Sequence, residues 1–342
     1  MLKKILSVLA LAGSVLLAMS VCRATTITQN FAGDPLTNGW SVFGDASLFV
    51  WDSTNQNLRV TWDSTHTNSY YHHPLGTTVT RYDDFSFSFD LRLSDIASGV
   101  EPGKTGPIQL GFGFLSSATA TNSGFVRNSY GSAPNIAGFD YYAWGYFDFG
   151  GTIYDSQAAT TPAFISGVNS YAYSPAIVSV YNNELPTNQT VHVTMTYTAS
   201  NQTVVLAVLT NGVPTASLPN LVLTTTNGFA DTDDFFVDMF SISSFSSIGD
   251  DYNSILAHGT VDNLVVSLPP PVQNVTGSFS NNVWQVEFAS RLNWLYTLQC
   301  TTNFTLWADA SVPTSGNGTN LFLQDTNAAL EKALYRVRAA RP

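Results

Sequence analysis

The chain has 342 residues, of which only 11% are charged, and its 13 Lys and Arg against 24 Asp and Glu give a formal net charge of −11. This acidic balance argues against a nucleic-acid partner, because nucleic-acid-binding proteins need a basic surface. A hydrophobic fraction of 44%, with 13% aromatic residues, argues against disorder and provides material for a large core.

The first 24 residues have the pattern of a secretory signal peptide. Two lysines precede an apolar run, Ile5 to Met19, which is too short to span a bilayer comfortably. Ala24 is the small residue after which we expect cleavage. A lipid anchor at Cys22 is the weaker alternative, because Val21 stands where a small residue is expected. We therefore expect an exported protein (periplasmic, cell-surface or extracellular) whose mature chain has no transmembrane segment.

Alternation of apolar and polar residues with a period of two recurs along the chain and predicts β-strands. The alternation is clearest in residues 85–93, where the odd positions are Phe or Leu and most even positions are polar. No segment shows sustained helical periodicity. The turn at Asn211-Gly212 is typical of a β-hairpin and closes the pair of strands before it. In chain order, the predicted strands of the long N-terminal region cover residues 48–51, 58–62, 85–93, 191–197, 203–209, 235–242 and 261–266.

A run of three prolines divides the chain into two predicted domains. Residues 269–272 contain these prolines and form a stiff linker, because proline cannot continue a strand ladder. The alternation then restarts at Trp284, Val286 and Phe288. We therefore predict a signal peptide over residues 1–24, a large β domain over 25–268 and a small C-terminal β module over 273–342.

Three stretches resemble concanavalin A-like domains of the laminin-G, pentraxin and legume-lectin type. They are the strand within residues 82–93, the hairpin within 191–209, and the closing stretch 259–266, which resembles the final strand that pairs near the first. The resemblance covers residues 25–268 and implies a large antiparallel jelly-roll sandwich. The tail of the chain is similar to a small module found on many secreted bacterial proteins. The predicted fold class is therefore all-β, with a jelly-roll sandwich followed by a small sandwich-like module.

The aromatic segment 140–149 is the candidate ligand site. On one continuous strand, Asp140, Tyr142, Trp144, Tyr146 and Asp148 would share a face. If that strand belongs to a concave sheet, the three rings form a ladder on which sugar rings stack, with the carboxylates binding hydroxyl groups. The alternative is that this face belongs to the core between the sheets. The two carboxylates favour the ligand site, because core faces avoid charge.

Two smaller features have both a structural and a functional interpretation. His72 and His73 are adjacent, so on a strand they point to opposite faces and cannot easily chelate one metal together. We expect one to pack and the other to be exposed, and we keep His72 as a candidate at the rim of a ligand groove. Gly111 and Gly113 either let a ligand approach the backbone or, as we prefer, make room for a bulky neighbour across the sandwich.

Two acidic loops are candidate Ca²⁺ ligands, since this ion prefers carboxylate and amide oxygens. The concanavalin A-like resemblance adds weight to calcium binding at loop edges. The spacing matches no EF-hand, and solvated turns are the favoured alternative. The residues concerned are Asp231, Asp233, Asp234, Asp250 and Asp251.

No catalytic residues are predicted. Glucanases on the fold that the chain resembles carry a Glu-x-Asp-x-x-Glu motif, whereas the four glutamates here are never closer than 44 positions, from 287 to 331. Asp140 and Asp148 on a single strand would be about 27 Å apart, against the roughly 5–9.5 Å of a glycosidase pair.

The favoured function is therefore non-catalytic binding of a glycan or polysaccharide by the aromatic face. One alternative is a structural or adhesive surface protein with no glycan ligand, whose C-terminal module contacts a cell-surface partner. Another is a divergent glycan-cleaving enzyme. An exposed aromatic ladder in a groove would favour the first function over the second, and two carboxylates converging in a cleft would indicate the third.

Overall fold

The computed structural model describes residues 25–100, 110–125, 134–143, 147–156, 163–166, 170–172, 184–215, 218, 220–223, 234–246, 254–292, 294–328 and 333–340. The chain divides into two compact units, with the boundary between Pro269 and Pro270. The described helices are short: two 3-10 helices, Pro35–Asn38 and Ala46–Leu48, and the α-helix α1 (Ser117–Ala120). None of the helices in the described part of the chain has the length and apolar character needed to cross a membrane.

The larger unit is built from β-strands throughout its described part. In chain order they are β1 (Thr25–Gln29), β2 (Ser41–Phe43), β3 (Phe49–Asp52), β4 (Asn57–Asp63), β5 (Ser69–Val79), β6 (Phe85–Ser98), β7 (Leu110–Leu115), β8 (Ile136–Ala143), β9 (Phe147–Tyr154), β10 (Ala163–Ser166), β11 (Ser170–Ala172), β12 (Val191–Thr198), β13 (Thr203–Thr210), β14 (Val213–Pro214), β15 (Leu221–Val222), β16 (Val237–Ser244) and β17 (Ile255–Leu268).

These strands form two antiparallel sheets. Sheet A has the order β14-β13-β12-β6-β17-β4-β3, with β1 paired to β17 and β15 paired to β13. Sheet B has the order β11-β10-β9-β8-β7-β16-β5-β2. The predicted all-β class and large antiparallel sandwich are confirmed. The closing strand β17 pairs with β1, as the resemblance implied, and the predicted hairpin is β12 with β13.

The core lies between the two sheets because the alternation of their strands directs one apolar face of each inward. On β6, Phe85, Phe87 and Phe89 are all at most 1% exposed, while the serines between them are half-buried. Phe89 stacks on Phe112 of β7 with ring centroids 3.9 Å apart, which joins sheet A to sheet B at the centre of the sandwich. Burial of this continuous aromatic layer stabilises the unit.

Sheet B has apolar residues on its second face as well. This face carries a separate buried cluster that includes Tyr70, Ile136, Tyr154 and Phe245. Their strand neighbours, such as Tyr71 and Ala137, belong to the main core instead. Sheet B is therefore covered on both faces, and its second face holds the candidate site.

The smaller unit has its own core and two small sheets. Its strands are β18 (Gln273–Ser280), β19 (Val283–Ala289), β20 (Leu295–Thr301), β21 (Ala308–Asp309), β22 (Thr314–Ser315), β23 (Asn320–Asp325) and β24 (Leu334–Ala340). Sheet C has the order β18-β19-β23, and sheet D has the order β21-β20-β22 with β24 also paired to β20. Trp284, Val286, Phe288, Tyr296 and Leu298 form the buried core, as their alternation in the sequence predicts.

Candidate functional site

The described residues of the aromatic segment, 140–143 and 147–149, lie on two paired antiparallel strands, so the prediction of one continuous strand is wrong. Asp140 and Tyr142 lie on β8, whereas Asp148 lies on the antiparallel strand β9. Tyr142 is directly opposite Asp148, and Asp140 is opposite Gly150. The separation of about 27 Å expected for Asp140 and Asp148 is therefore also wrong, because the antiparallel pairing brings Asp148 back beside β8. The spacing argument against a glycosidase pair loses its basis.

The structure places part of the predicted ligand face on the second face of sheet B. Phe139 and Tyr141 point into the main core, so Asp140 and Tyr142 belong to the opposite face. Asp148 is paired with Tyr142 in the backbone ladder, so its position belongs to the same face. Trp144 and Tyr146 lie outside the described residues. For Tyr142 and Asp148 only the backbone is described, so the aromatic ladder stays a prediction.

Two rows of mostly small or polar residues cross the centre of this face, perpendicular to the strands. Each row takes one residue from β5, β16, β7, β8 and β9 in turn, as the ladder registers pair them. The rows are His72, Ser241, Gly113, Gly138 and Thr152, and, beside it, Tyr70, Ser243, Gly111, Asp140 and Gly150. We call their central part, Gly111, Gly113, Gly138, Asp140, Ser241 and Ser243, the glycine–serine trough.

The trough has a polar lining on a floor with few side chains. Ser241 Oγ is 2.8 Å from Ser243 Oγ and 3.4 Å from the carbonyl oxygen of Gly113, to which it donates. Asp140 is 2% exposed, although carboxylates are rarely this buried. The three glycines add no side chains of their own to the floor that β7 and β8 form. A carboxylate and two hydroxyl groups therefore lie at the bottom of a narrow depression.

Aromatic rings close one end of the trough. A Cβ atom on Gly111 would lie 2.7 Å from Cε2 of Phe245 and 3.2 Å from Oδ1 of Asp140, so the Phe245 ring occupies the space above this glycine. Phe245 packs edge-on against Tyr70, with centroids 5.8 Å apart. Gly111 does make room for a bulky neighbour. However, that neighbour, Phe245, directly follows β16 of sheet B and does not come from sheet A across the sandwich.

The side chains at the two ends of the first row, His72 and Thr152, each have one polar atom without a hydrogen-bond partner among the described residues. His72 Nε2 is 3.2 Å from Ser41 Oγ, but its Nδ1 atom is buried without a hydrogen bond. Thr152, which is 1% exposed, has a buried Oγ1 atom without a partner. Burial lowers the pKa of His72, with a contribution from His73 and partial compensation by Asp238. The two ends of the row are four strand spacings apart, about 19 Å.

Of the five predicted calcium ligands, only Asp234 lies among the described residues. Its Oδ1 atom accepts hydrogen bonds from the backbone N–H groups of Arg81, at 3.1 Å, and Phe235, at 2.8 Å. Burial raises the pKa of Asp234, and these two bonds oppose the shift. Asp231, Asp233, Asp250 and Asp251 lie outside the described residues, and the described part of the chain contains no group of three side chains suited to a metal. The calcium site stays a prediction.

A second acidic cluster lies on the polar face of sheet A. Asp90 of β6 is opposite both His192 of β12 and Asp262 of β17. His192 Nδ1 is 2.7 Å from Asp90 Oδ1, and Asn263 donates to Asp90 Oδ2 at 2.8 Å. Burial raises the pKa of Asp262, with a contribution from the nearby Asp90 carboxylate. These carboxylates lie on the face of sheet A and do not line the glycine–serine trough.

The residues that β9 and β16 contribute to the two rows were not predicted from the sequence. Ser241, Ser243 and Thr152 occupy ordinary polar positions in alternating strands, and no local motif distinguishes them. Only the ladder registers, which join positions as distant as residues 72 and 241, bring them together. The usable signal was the combination of Gly111 and Gly113 within one strand.

No family model matches the chain, and neither does any curated protein. Similar solved structures include peanut lectin with a 9mer peptide, which is 18% identical, covers 70% of this chain and 99% of that chain, and has a TM-score of 0.36. The seed lectin of Lotus tetragonolobus is 10% identical and covers 72% of this chain and 100% of that chain, with a TM-score of 0.41. Lectin II from Ulex europaeus is 12% identical, with coverages of 72% and 99% and a TM-score of 0.40. The likeness concerns the fold alone: these neighbours are legume lectins with the concanavalin A-like jelly roll that the sequence resembles.

Proposed function

We propose that this chain is an exported, non-catalytic carbohydrate-binding protein and that the glycine–serine trough of sheet B is its binding site. One observation carries the proposal: a buried carboxylate and two hydroxyl groups line a depression whose floor is glycine and whose end is aromatic. Binding pockets for small ligands combine an apolar wall with a few placed polar groups in this way.

The chemistry of the trough suits a sugar better than a purely apolar or a charged ligand. The Asp140 carboxylate can accept hydrogen bonds from the hydroxyl groups of a sugar ring, and the two serine hydroxyls can both donate to them and accept from them. The ring's apolar face can pack against aromatic side chains such as Phe245 and Tyr70. Thr152 and the Nδ1 atom of His72 offer further polar atoms that have no partner among the described residues. A glycan of several sugar units lying along the first row would form hydrogen bonds with both Thr152 Oγ1 and His72 Nδ1.

Entry to the trough requires a movement of Phe245. Asp140 is 2% exposed and Ser241 and Ser243 are each 1% exposed, so a ligand cannot reach them without displacing a neighbour. Phe245 covers Gly111 and lies just beyond the end of β16, where a rotation of the ring breaks no ladder hydrogen bond. We propose that the ring swings aside on binding, and that Tyr142, Trp144 and Tyr146 provide additional stacking surface.

The test is binding of the full chain, without its signal peptide, to a glycan array and to insoluble polysaccharides, each with calcium and with chelator. Asp140→Asn removes the buried charge while keeping the shape, and Trp144→Ala removes a predicted stacking ring. We expect Asp140→Asn to weaken binding about tenfold or more, because hydrogen bonds to charged groups are worth roughly 1.5–3 kcal/mol. Trp144→Ala should weaken binding about two- to tenfold, because aromatic stacking is worth about 0.5–1.5 kcal/mol.

Asp95→Asn is the matched control, because Asp95 is an exposed carboxylate that pairs with His258 on sheet A. It should leave glycan binding unchanged. If no glycan is retained, or if Asp140→Asn and Asp95→Asn bind equally well in the folded state, the trough is not the site. The structural or adhesive function then becomes the better account.

A further inference from the structure

The smaller unit contains a cleft that is lined by residues of both of its sheets, C and D. Four residues of sheet C line its floor: Val275 and Gly277 of β18, and Trp284 and Val286 of β19. Residues 333–337, which include the first half of β24, line its side without interruption. Alternate residues line a cleft that lies over the face of a strand, whereas consecutive residues line a cleft that runs along a strand's edge. The cleft therefore overlies the inner face of sheet C and follows the edge of β24.

Both bordering strands are edge strands. Among the described residues, β24 pairs only with β20, and β18 pairs only with β19. An edge strand presents unpaired backbone N–H and C=O groups, which are a template for one more strand. The edge of β24 thus offers main-chain hydrogen bonds along the whole length of the cleft.

The floor of the cleft contains an unsatisfied hydrogen-bond donor. Trp284 is 6% exposed, and its Nε1 atom is buried without a partner in the described structure. The indole stacks on Tyr335 of β24 with centroids 5.0 Å apart, which fixes its orientation. The ring lies directly over Gly277, since a Cβ atom there would lie 2.6 Å from Cζ2 of Trp284, so the indole itself is the floor of the cleft at this point. A buried donor of this kind costs stability unless an acceptor reaches it.

The charge along β24 determines which peptide the cleft fits. Tyr335 and Val337 pack towards the small core, so Arg336 and Arg338 point to the opposite face of sheet D. Residues 270–342 have 5 basic and 4 acidic residues, whereas residues 24–269 have 5 basic and 20 acidic residues. Arg336 Nε donates to Gln299 Oε1 at 2.8 Å and its guanidinium lies 4.2 Å from the Trp307 ring centroid, so Arg336 is held on the β20 side of β24. Arg338 is half exposed and its ion pair with Asp309, at 3.9 Å, is loose, so it can turn towards a strand added beside β24, where an acidic side chain would form a favourable cross-strand pair.

We propose that this cleft binds an extended polypeptide segment of alternating apolar and acidic residues, which adds to β24 as a further strand of sheet D. Apolar side chains lie over the floor formed by Val275, Trp284 and Val286. An acidic side chain pairs with Arg338, and a main-chain carbonyl accepts the hydrogen bond from Trp284 Nε1. This mode of recognition takes its affinity from main-chain hydrogen bonds and its specificity from the alternate side chains.

The probe is a fluorescein-labelled, end-capped heptapeptide of sequence Glu-Val-Glu-Val-Glu-Val-Glu, titrated into the full chain and followed by fluorescence anisotropy. We expect saturable binding, with weaker binding of the peptide that has lysine in place of glutamate. N-methylation of the valine amides and of the glutamate amides blocks opposite edges of the peptide, so one of the two modified peptides should lose binding. Hydrogen exchange should slow in residues 334–340 on addition of the peptide.

Arg338→Glu tests the charge, because this side chain is half exposed and its ion pair with Asp309, at 3.9 Å, is loose. We expect roughly fivefold weaker binding of the acidic peptide. Arg59→Glu, an exposed residue of β4 in the other unit, makes the same charge change and should have no effect. Three results would each overturn the proposal. They are a lack of saturation at millimolar peptide, an equal loss of peptide binding in Arg338→Glu and Arg59→Glu, and a slowing of hydrogen exchange outside β24 but not within it. None of them bears on glycan binding by sheet B.

Discussion

His72 is the residue of the candidate site whose protonation the fold controls most directly. Burial lowers its pKa below the ordinary value of 6.5, and the neighbouring His73 adds to the shift. Because the unfolded chain then binds the proton more readily than the folded chain, the free energy of unfolding falls as the pH drops below about 6.5. Urea unfolding at about pH 7 and pH 5 should show a smaller loss of stability for His72→Gln than for the native chain. An identical loss in both proteins would show that His72 does not contribute.

Gly113 is the residue at which the trough depends most strongly on the absence of a side chain. Its φ is 153°, and a Cβ atom would lie 2.4 Å from the Cα atom of Gly138 on the paired strand. Since that neighbour is backbone, β7 and β8 would have to separate. We expect Gly113→Ala to reduce the free energy of unfolding by about 2–4 kcal/mol in denaturant titrations. Gly33→Ala is the control, because a Cβ atom added there would have nothing within 4 Å, and it should be neutral or slightly stabilising.

At the scale of elements, β6 shows how the alternation of apolar and polar residues along a strand stabilises the larger unit. It lies between β12 and β17 in sheet A, and Phe89 on its inner face contacts both Phe112 and Phe139 of sheet B. Phe89→Ala should cost about 3–5 kcal/mol, because the cavity cannot be filled by neighbours that belong to two sheets. Ser88→Ala, on the polar face of the same strand, should change stability by less than about 0.5 kcal/mol. Comparable costs for the two variants in chemical unfolding would contradict the assignment of faces.

The same alternation explains which elements could be predicted and which could not. Phe85 to Leu93 and the β12–β13 hairpin were predictable because apolar periodicity and turn residues agree. The β8–β9 hairpin was not predictable from the sequence. Even-numbered positions share one face both on a single continuous strand and on the two paired strands, so the alternation is the same in both cases. Asp140 was identified as a site residue, but its neighbours Ser241 and Ser243 were not. Strand order in a sheet depends on pairings between distant segments, and a single sequence does not display them.

At the scale of the whole molecule, the unequal charge of the two units predicts different responses to salt. Residues 24–269 carry a formal net charge of −15, from 20 acidic and 5 basic residues, whereas residues 270–342 carry +1, from 4 and 5. Like charges destabilise a compact state by self-repulsion, and salt screens exposed charges over a Debye length of about 10 Å at 0.1 M. Screening should therefore stabilise the larger unit and leave the smaller one nearly unchanged.

Differential scanning calorimetry at low and moderate NaCl concentration checks this expectation. Because each unit has its own core, we expect two transitions, which can be assigned with one core variant in each unit. Phe89→Ala should lower the Tm of the larger unit, and Phe288→Ala, at a fully buried position of β19, should lower that of the smaller unit. NaCl should raise the Tm only of the transition that is assigned to the larger unit. A single transition that both variants shift equally would mean that the two cores unfold together, and equal salt shifts of two transitions would mean that net charge does not limit the stability of the acidic unit.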